Sequence, residues 1–312
     1  MRGLIDFAGL FPPARLDMPD AAATFARHLG GEYAWMLGCF ICPVGRLDEF
    51  AEQRSNLELY APIRVSVLGT APADEHDYLD LAKLDAELVA RFETYGWTQC
   101  RQLEVKWPHS LISARPLHRY ASRLRQIGCT YQRLFFEIER LDSWENDVVR
   151  VTAALAEASA LAGTGSPTGA GNMFGLKIRT GGLTADLYPS PDQIAVAVEA
   201  CRDAGVPLKA TAGLHHPIRH DRQAGAALQH GFFNILGAAA LAHGTGLDRD
   251  DLVAIIEGRR LSEFMFGSTE FRWGRHAIGV GALGEARAKL AFSYGSCSFD
   301  EPLEDLAAAN LL

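Results

Sequence analysis

Two short runs constrain this chain more than anything else in it: Gly175-Leu-Lys-Ile-Arg-Thr-Gly-Gly182 and Val206-Pro-Leu-Lys-Ala-Thr-Ala-Gly213. In each, apolar residues alternate with other types and then give way to small, flexible ones, the pattern of a strand entering a loop. Leu176 and Ile178 share one face and Lys177 and Arg179 the other. Val206, Leu208 and Ala210 lie opposite Lys209 and Thr211. The two lysines are 32 positions apart, and Ser190 to Ala204 between them reads as one helix. A strand, a crossover helix and a parallel strand need about 30 residues. The spacing therefore predicts Lys177 and Lys209 at matching heights on neighbouring parallel strands.

Lysine is scarce here. Of 30 basic residues only five are Lys, at 83, 106, 177, 209 and 289. Arg supplies the ordinary solvated positive charge. Lys106, Lys177 and Lys209 fall within predicted strands, where lysine is normally depleted. Arg does not give up its proton, whereas a buried Lys can. Placing lysines at strand ends points to a need for an amine, against the alternative of snorkelling or edge-strand residues.

Bulk properties narrow the class. A chain of 312 residues can bury a large core without staples. The net charge of −8 argues against a nucleic-acid partner. No apolar run approaches the ~18 residues of a membrane span. The opening Met1-Arg-Gly-Leu-Ile-Asp6 meets an acid and then prolines too early for a signal peptide. Six dispersed cysteines suit a reduced, cytoplasmic protein. Cys39-Phe-Ile-Cys42 has C-x-x-C spacing but sits in a strand-like run, not at a helix N-terminus, so it reads as neither a redox pair nor a metal site.

Strand signals at Leu4–Leu10, Tyr33–Cys42, Ile63–Leu68, Gln102–Trp107 and Arg133–Glu139 precede the two runs above, and a weak eighth is expected at Glu270–Trp273. Helical patterns separate most of them. Eight alternations predict an α/β fold, a single (β/α)₈ TIM barrel over residues 1–312 with a short acidic tail from Cys297. A doubly wound open sheet is the alternative. The Gly/Ser/Thr/Pro stretch from Gly163 to Gly171 leads from a helix into a strand and is read as a connector.

In such a barrel, alternation sends Glu104 and Lys106 inward from the fourth strand, and Phe135, Glu137 and Glu139 from the fifth. Lys177 and Arg179, Lys209 and Thr211, and Asp6 on the first strand also face in. Barrel interiors are usually layers of Val, Ile and Leu. Buried charges must pair, titrate or bind something, and a purely structural ion-pair network is the alternative to chemistry. Two neighbouring lysines suit Schiff-base formation, because desolvation and a second cation lower an amine's pKa. Lys209 would serve as that cation for Lys177, and Glu137 as proton shuttle. Order within the βαβ unit does not decide which lysine reacts. Arg179, Arg275, His215 and His216 follow predicted strand ends, which places an anion at the mouth.

Six short segments carry a family resemblance: Leu4-Ile-Asp-Phe-Ala-Gly-Leu10, Cys39-Phe-Ile-Cys-Pro43, Phe135-Phe-Glu137, Leu176-Lys-Ile-Arg-Thr-Gly181, Leu208-Lys-Ala-Thr-Ala-Gly-Leu214 and Phe271-Arg-Trp-Gly274. In this order they resemble deoxyribose-phosphate aldolase and related class I aldolases. The resemblance implies that Lys177 forms the imine, that Lys209 is the second lysine, and that Cys42 closes a substrate-binding strand. The sequence departs from the family at Glu104-Val-Lys106, where the family has Glu-Val-Asp. It departs again at Ala212-Gly213 with the following His215-His216-Pro217, and at Arg275 and His276 after Gly274. These departures imply a different substrate, such as a carboxylate or a differently placed phosphate.

The function expected is a lysine-dependent aldolase or lyase acting on a small anionic carbonyl compound. Its catalytic set is Lys177, Lys209, Lys106, Glu137 and Asp6, with Cys42, Glu104, Arg179, Thr211, His215, His216 and Arg275 binding substrate. It requires no cofactor and no metal, and homo-oligomerisation is left open. The alternatives are a metal-dependent barrel hydrolase or isomerase, with His215 and His216 joined by Glu137 or Asp6, and a non-catalytic barrel that binds a metabolite.

Overall fold

The computed structural model describes residues 1–139, 143–163, 174–182, 184, 187–221 and 228–312. Most of the expected Gly163–Gly171 connector lies outside them. In chain order the strands are β1 (Ile5–Phe7), β2 (Leu37–Pro43), β3 (Ile63–Leu68), β4 (Thr98–Lys106), β5 (Arg133–Glu137), β6 (Phe174–Arg179), β7 (Leu208–Thr211), β8 (Phe264–Phe266), β9 (Glu270–Trp273), β10 (His276–Gly279) and β11 (Ala291–Ser296). The helices are α1 (Met18–Leu29), α2 (Leu47–Ala51), α3 (Arg54–Leu57), α4 (Tyr78–Glu93), α5 (Ala114–Gln126), α6 (Trp144–Leu161), α7 (Pro191–Ala204), α8 (Phe232–Thr245), α9 (Arg249–Glu257), α10 (Val280–Lys289) and α11 (Asp300–Ala308).

Eight parallel strands close in the order β1-β11-β7-β6-β5-β4-β3-β2, the (β/α)₈ barrel expected. The eighth staff of the barrel is β11, not the segment expected from the sequence. Glu270–Trp273 pairs antiparallel with β8 and β10 in a separate three-stranded sheet. The reason is compositional. Glu270-Phe-Arg-Trp273 alternates and carries aromatics, so it looks like a strand. Ala291-Phe-Ser-Tyr-Gly-Ser296 has four small residues, Ala291, Ser293, Gly295 and Ser296, and no β-branched one. Small size is needed there: a Cβ on Gly295 would sit 3.1 Å from Ile41 and 3.2 Å from the Thr211 hydroxyl.

The crossover that fixes the two lysines is well specified locally. Ser190 caps α7 in a reciprocal box: its hydroxyl accepts from the Gln193 amide at 3.2 Å, and the Gln193 side chain accepts from the Ser190 amide at 2.9 Å. Pro191 occupies the first turn, and Gly205 ends the helix in the left-handed region at φ 64°. Ile194, Ala197, Val198 and Cys201 bury one face. Strands β6 and β7 then pair in parallel with Lys177 directly opposite Lys209, as the spacing predicts.

The tail is not a free appendage. Its helix α11 buries Pro302 and Leu306, and its acids turn toward the mouth of the barrel. Among the described residues no helix is long and apolar enough to cross a membrane.

Candidate active site

The barrel interior holds two layers of charge. In the deeper one, the fully buried Lys209 Nζ lies 2.5 Å from Asp6 Oδ2, 2.5 Å from Gln102 Oε1 and 2.7 Å from Glu104 Oε1. It also sits over the Phe135 ring, 5.6 Å from its centroid. Asp6 is held in turn by the Cys39 amide at 2.7 Å and the Ser293 hydroxyl at 2.8 Å. Gly38 makes room for it, since a Cβ there would come within 2.1 Å of Asp6 Oδ1. In the upper layer, Lys177 Nζ lies 2.7 Å from Glu104 Oε2 and 2.8 Å from Glu137 Oε2. Glu104 thus bridges the two lysines, one carboxylate oxygen to each, and also accepts from the Ser66 hydroxyl.

Electrostatics fixes the resting protonation. Burial alone would raise Glu104, but Lys177 and Lys209 outweigh it and hold the carboxyl well below its ordinary range. Burial is also the largest single influence on both lysines and pulls them down. It is offset at Lys177 by Glu104 and Glu137 together, and at Lys209 by Asp6 and Glu104, so both ammonium groups end above their ordinary value. The expected lowering of Lys177 by Lys209 is therefore not what the resting structure holds. The carboxylate between them dominates.

Lys177, Glu137, Arg179 and Thr211 line a cavity of about 870 Å³ at the C-terminal ends of the strands, where barrel enzymes keep their chemistry. Lys177 is 8% exposed and Glu137 15%, whereas the Arg179 side chain is 47% exposed and lies 3.7 Å from Glu137. His215 and His216 also line the cavity. Each faces a carboxylate of α11: His215 Nδ1 is 2.7 Å from Glu301 and His216 Nδ1 is 2.6 Å from Asp305. The alternative metal set of these histidines with Glu137 or Asp6 is not assembled, because those two acids pair with the lysines. Among the described residues no group of three His, Cys, Asp or Glu side chains is arranged to hold a metal.

Three expected site residues lie elsewhere. Lys106 has the inward parity of Gln102 and Glu104 but ends its strand above the packed interior. Its side chain is 52% exposed and pairs with Glu139, apart from the other lysines. Cys42 faces the helices with Phe40, while Ile41 is the residue of that strand at the cavity. Burial pushes the Cys42 thiol up to about 12. Arg275 lies on the β9–β10 turn and reaches Asp251 at 3.2 Å, since the segment before it is not a barrel strand.

Sequence reasoning missed Gln102 and Ser293, the neutral partners that complete the deeper layer. Gln102 was legible as the next inward position below Glu104. Ser293 was hidden with the true eighth strand.

The chain matches no family model and no curated protein. Among solved structures it is similar to the tetrameric deoxyribose phosphate aldolase from Aeropyrum pernix, at 11% sequence identity and a TM-score of 0.51. The likeness covers 99% of this chain and 91% of that one, so the two share the barrel fold over nearly their whole lengths.

Proposed function

We propose that this barrel is a lysine-dependent aldolase or lyase for a small anionic carbonyl compound, with Lys177 as the residue that forms the imine. The observation that carries the reading is the unequal placement of the two lysines. Lys177 borders the mouth cavity beside Glu137, and Lys209 is sealed beneath it. The structural neighbour is an aldolase, which agrees with this reading, and its tetrameric state makes self-association of this chain an expectation to check by light scattering.

The chemistry balances within these groups. Lys177 passes a proton to Glu137, and the neutral nitrogen adds to the carbonyl carbon. Glu137 returns protons to the former carbonyl oxygen until it leaves as water. Of the three ammonium protons, two depart in that water and one stays on the iminium nitrogen. The bond between the α and β carbons then breaks, and its electron pair forms the C=C of an enamine as the iminium nitrogen takes up the displaced pair. Glu137 takes the proton released from the departing fragment's hydroxyl. Lys209 acts as a positioning residue that holds Glu104 and Asp6 in place. Arg179 at the rim suits a carboxylate or phosphate on the substrate.

The test is borohydride reduction in the presence of short aldehydes and 2-oxo acids, followed by peptide mapping. Label on Lys177 is the expected result. Label on Lys209 would reverse the roles. No label on any lysine across the panel would leave the barrel as a metabolite-binding protein.

A further inference from the structure

The opposite end of the barrel holds a second cavity, of about 720 Å³, a size typical of small-molecule sites. It lies at the N-terminal ends of the strands, away from the lysine site's mouth. Arg2, Arg64, Arg101, Arg133 and Arg287 border it, and Asp6 is the one carboxylate among its described lining residues. Asp6 is already engaged by Lys209, Ser293 and the Cys39 amide. Arg64 and Arg287 meet carbonyl oxygens instead. Arg64 donates to Leu37 at 2.9 Å, and Arg287 to Ala291, Phe292 and, at 3.4 Å, Arg2. Elsewhere in this acidic chain most arginines face carboxylates, for example Arg27 with Asp300, Arg46 with Glu49 and Arg249 with Glu199. The other wall of the cavity is apolar: Phe233, Leu236, Phe266, Phe271 and Leu283 come from α8, α10 and the three-stranded sheet.

We propose that this floor cavity binds a small carboxylate bearing an aliphatic chain, the carboxylate against Arg64, Arg101 and Arg287 and the chain along the Phe271–Leu283 wall. Guanidinium groups that face carbonyls rather than acids keep donors and net charge for an incoming carboxylate. An aliphatic chain gains from the apolar wall in proportion to the area it covers. The guanidinium half disfavours a cation.

Isothermal titration of the full chain with octanoate tests this, alongside octanol and octyltrimethylammonium as neutral and cationic counterparts. One equivalent of octanoate should bind at least ~10-fold tighter than octanol, weakening with salt, with no binding of the cation. Extending hexanoate to octanoate to decanoate should tighten binding by up to about fourfold per CH₂. Arg101→Gln should weaken octanoate by about 10-fold or more. Gly284→Phe should do the same by occupancy, because a Cβ at Gly284 meets open space on an exposed stretch of α10 and the variant is expected to fold. Arg179→Gln, at the other end of the barrel, should leave octanoate binding unchanged. The proposal fails if octanoate does not saturate, if octanol matches it, or if binding survives both floor variants and is lost in Arg179→Gln.

Discussion

Lys177 and Lys209 are the same residue type at paired positions on adjacent strands, yet the barrel treats them differently. Lys209 is fully buried and has three oxygen partners on two other strands. Lys177 has two carboxylate partners and an open side toward the mouth cavity. Depth in the barrel, not parity, separates a lysine that organises charge from one that can meet a ligand. Lys106, two strands over from Lys177, extends the series: its parity is right, but it sits at the rim where water competes.

Replacing Lys177 should give the largest functional effect. Lys177→Arg keeps a cation between Glu104 and Glu137 and removes the proposed nucleophile. Borohydride trapping should fall below detection, a loss of at least ~10³-fold in turnover, while the unfolding midpoint in urea moves little. Trapping that persists in this variant would assign the imine to another lysine.

Lys209→Met should give the largest stability effect. It leaves Asp6 and Glu104 buried with one cation fewer, and breaking a buried pair in this way costs about 3–5 kcal/mol, measurable by urea unfolding. The pH dependence has a definite sign. Glu104 is depressed in the fold, so its contribution is present above its ordinary 4.5 and is lost as pH falls through the folded value. Lys209 is raised, so its contribution is present below its ordinary 10.5 and is lost as pH rises through the folded value. The stability gap between wild type and Glu104→Gln should be widest between these limits and close on the acid side. A gap that does not depend on pH would mean Glu104 acts by packing alone.

Much of this arrangement was legible in the sequence. Period-two alternation placed Asp6, Glu104, Glu137, Lys177 and Lys209 in one interior, and the helix between the runs gave the register of the lysines. The alternation does not encode depth, so it could not separate Lys106 from the other two. Nor does it show which strand ends meet which helix. The mouth histidines were visible, but their partners Glu301 and Asp305 come from a helix about 85 residues later, and only the closed chain brings them together. Cys42 was misplaced because Ile41 and Cys42 are both apolar enough for either face of a fully covered strand. The true eighth strand was missed because the interior there demands small residues, which weaken the usual strand signature.

Glu137→Gln probes the proton path in the upper layer and should cost about 10²-fold in kcat. On the proposed path the proton leaves Lys177 for Glu137, so no net proton is exchanged with solvent before the nitrogen attacks. The rate of imine formation should then be nearly flat over about pH 6–9. In Glu137→Gln the internal acceptor is gone and one of the two carboxylates raising Lys177 is removed. The Lys177 pKa should fall relative to wild type, yet the rate should now climb about tenfold per pH unit, because the proton must go to solvent. Stopped-flow trapping across that range reads the slope directly. Equal slopes in the two proteins would remove Glu137 from the path.

The smallest effect is expected at Lys106, and this tests whether depth is the correct distinction. Its pairing with Glu139 is half exposed on both sides, 52% and 57%. Exposed pairs contribute at most ~1 kcal/mol and often nothing measurable. Lys106→Gln should therefore change unfolding free energy by less than ~1 kcal/mol and leave trapping at Lys177 and the pH profile as in wild type. The inward parity of its strand argues the other way: a ligand entering the mouth could draw a flexible lysine from Glu139 onto its own anionic group. That rearrangement would appear as a raised KM with an unchanged kcat, since a contact made equally in the bound and transition states affects binding alone. A loss of kcat in Lys106→Gln would be a different matter. It would mean that the rim lysine reaches the reacting atoms, and that parity governs the site more than depth.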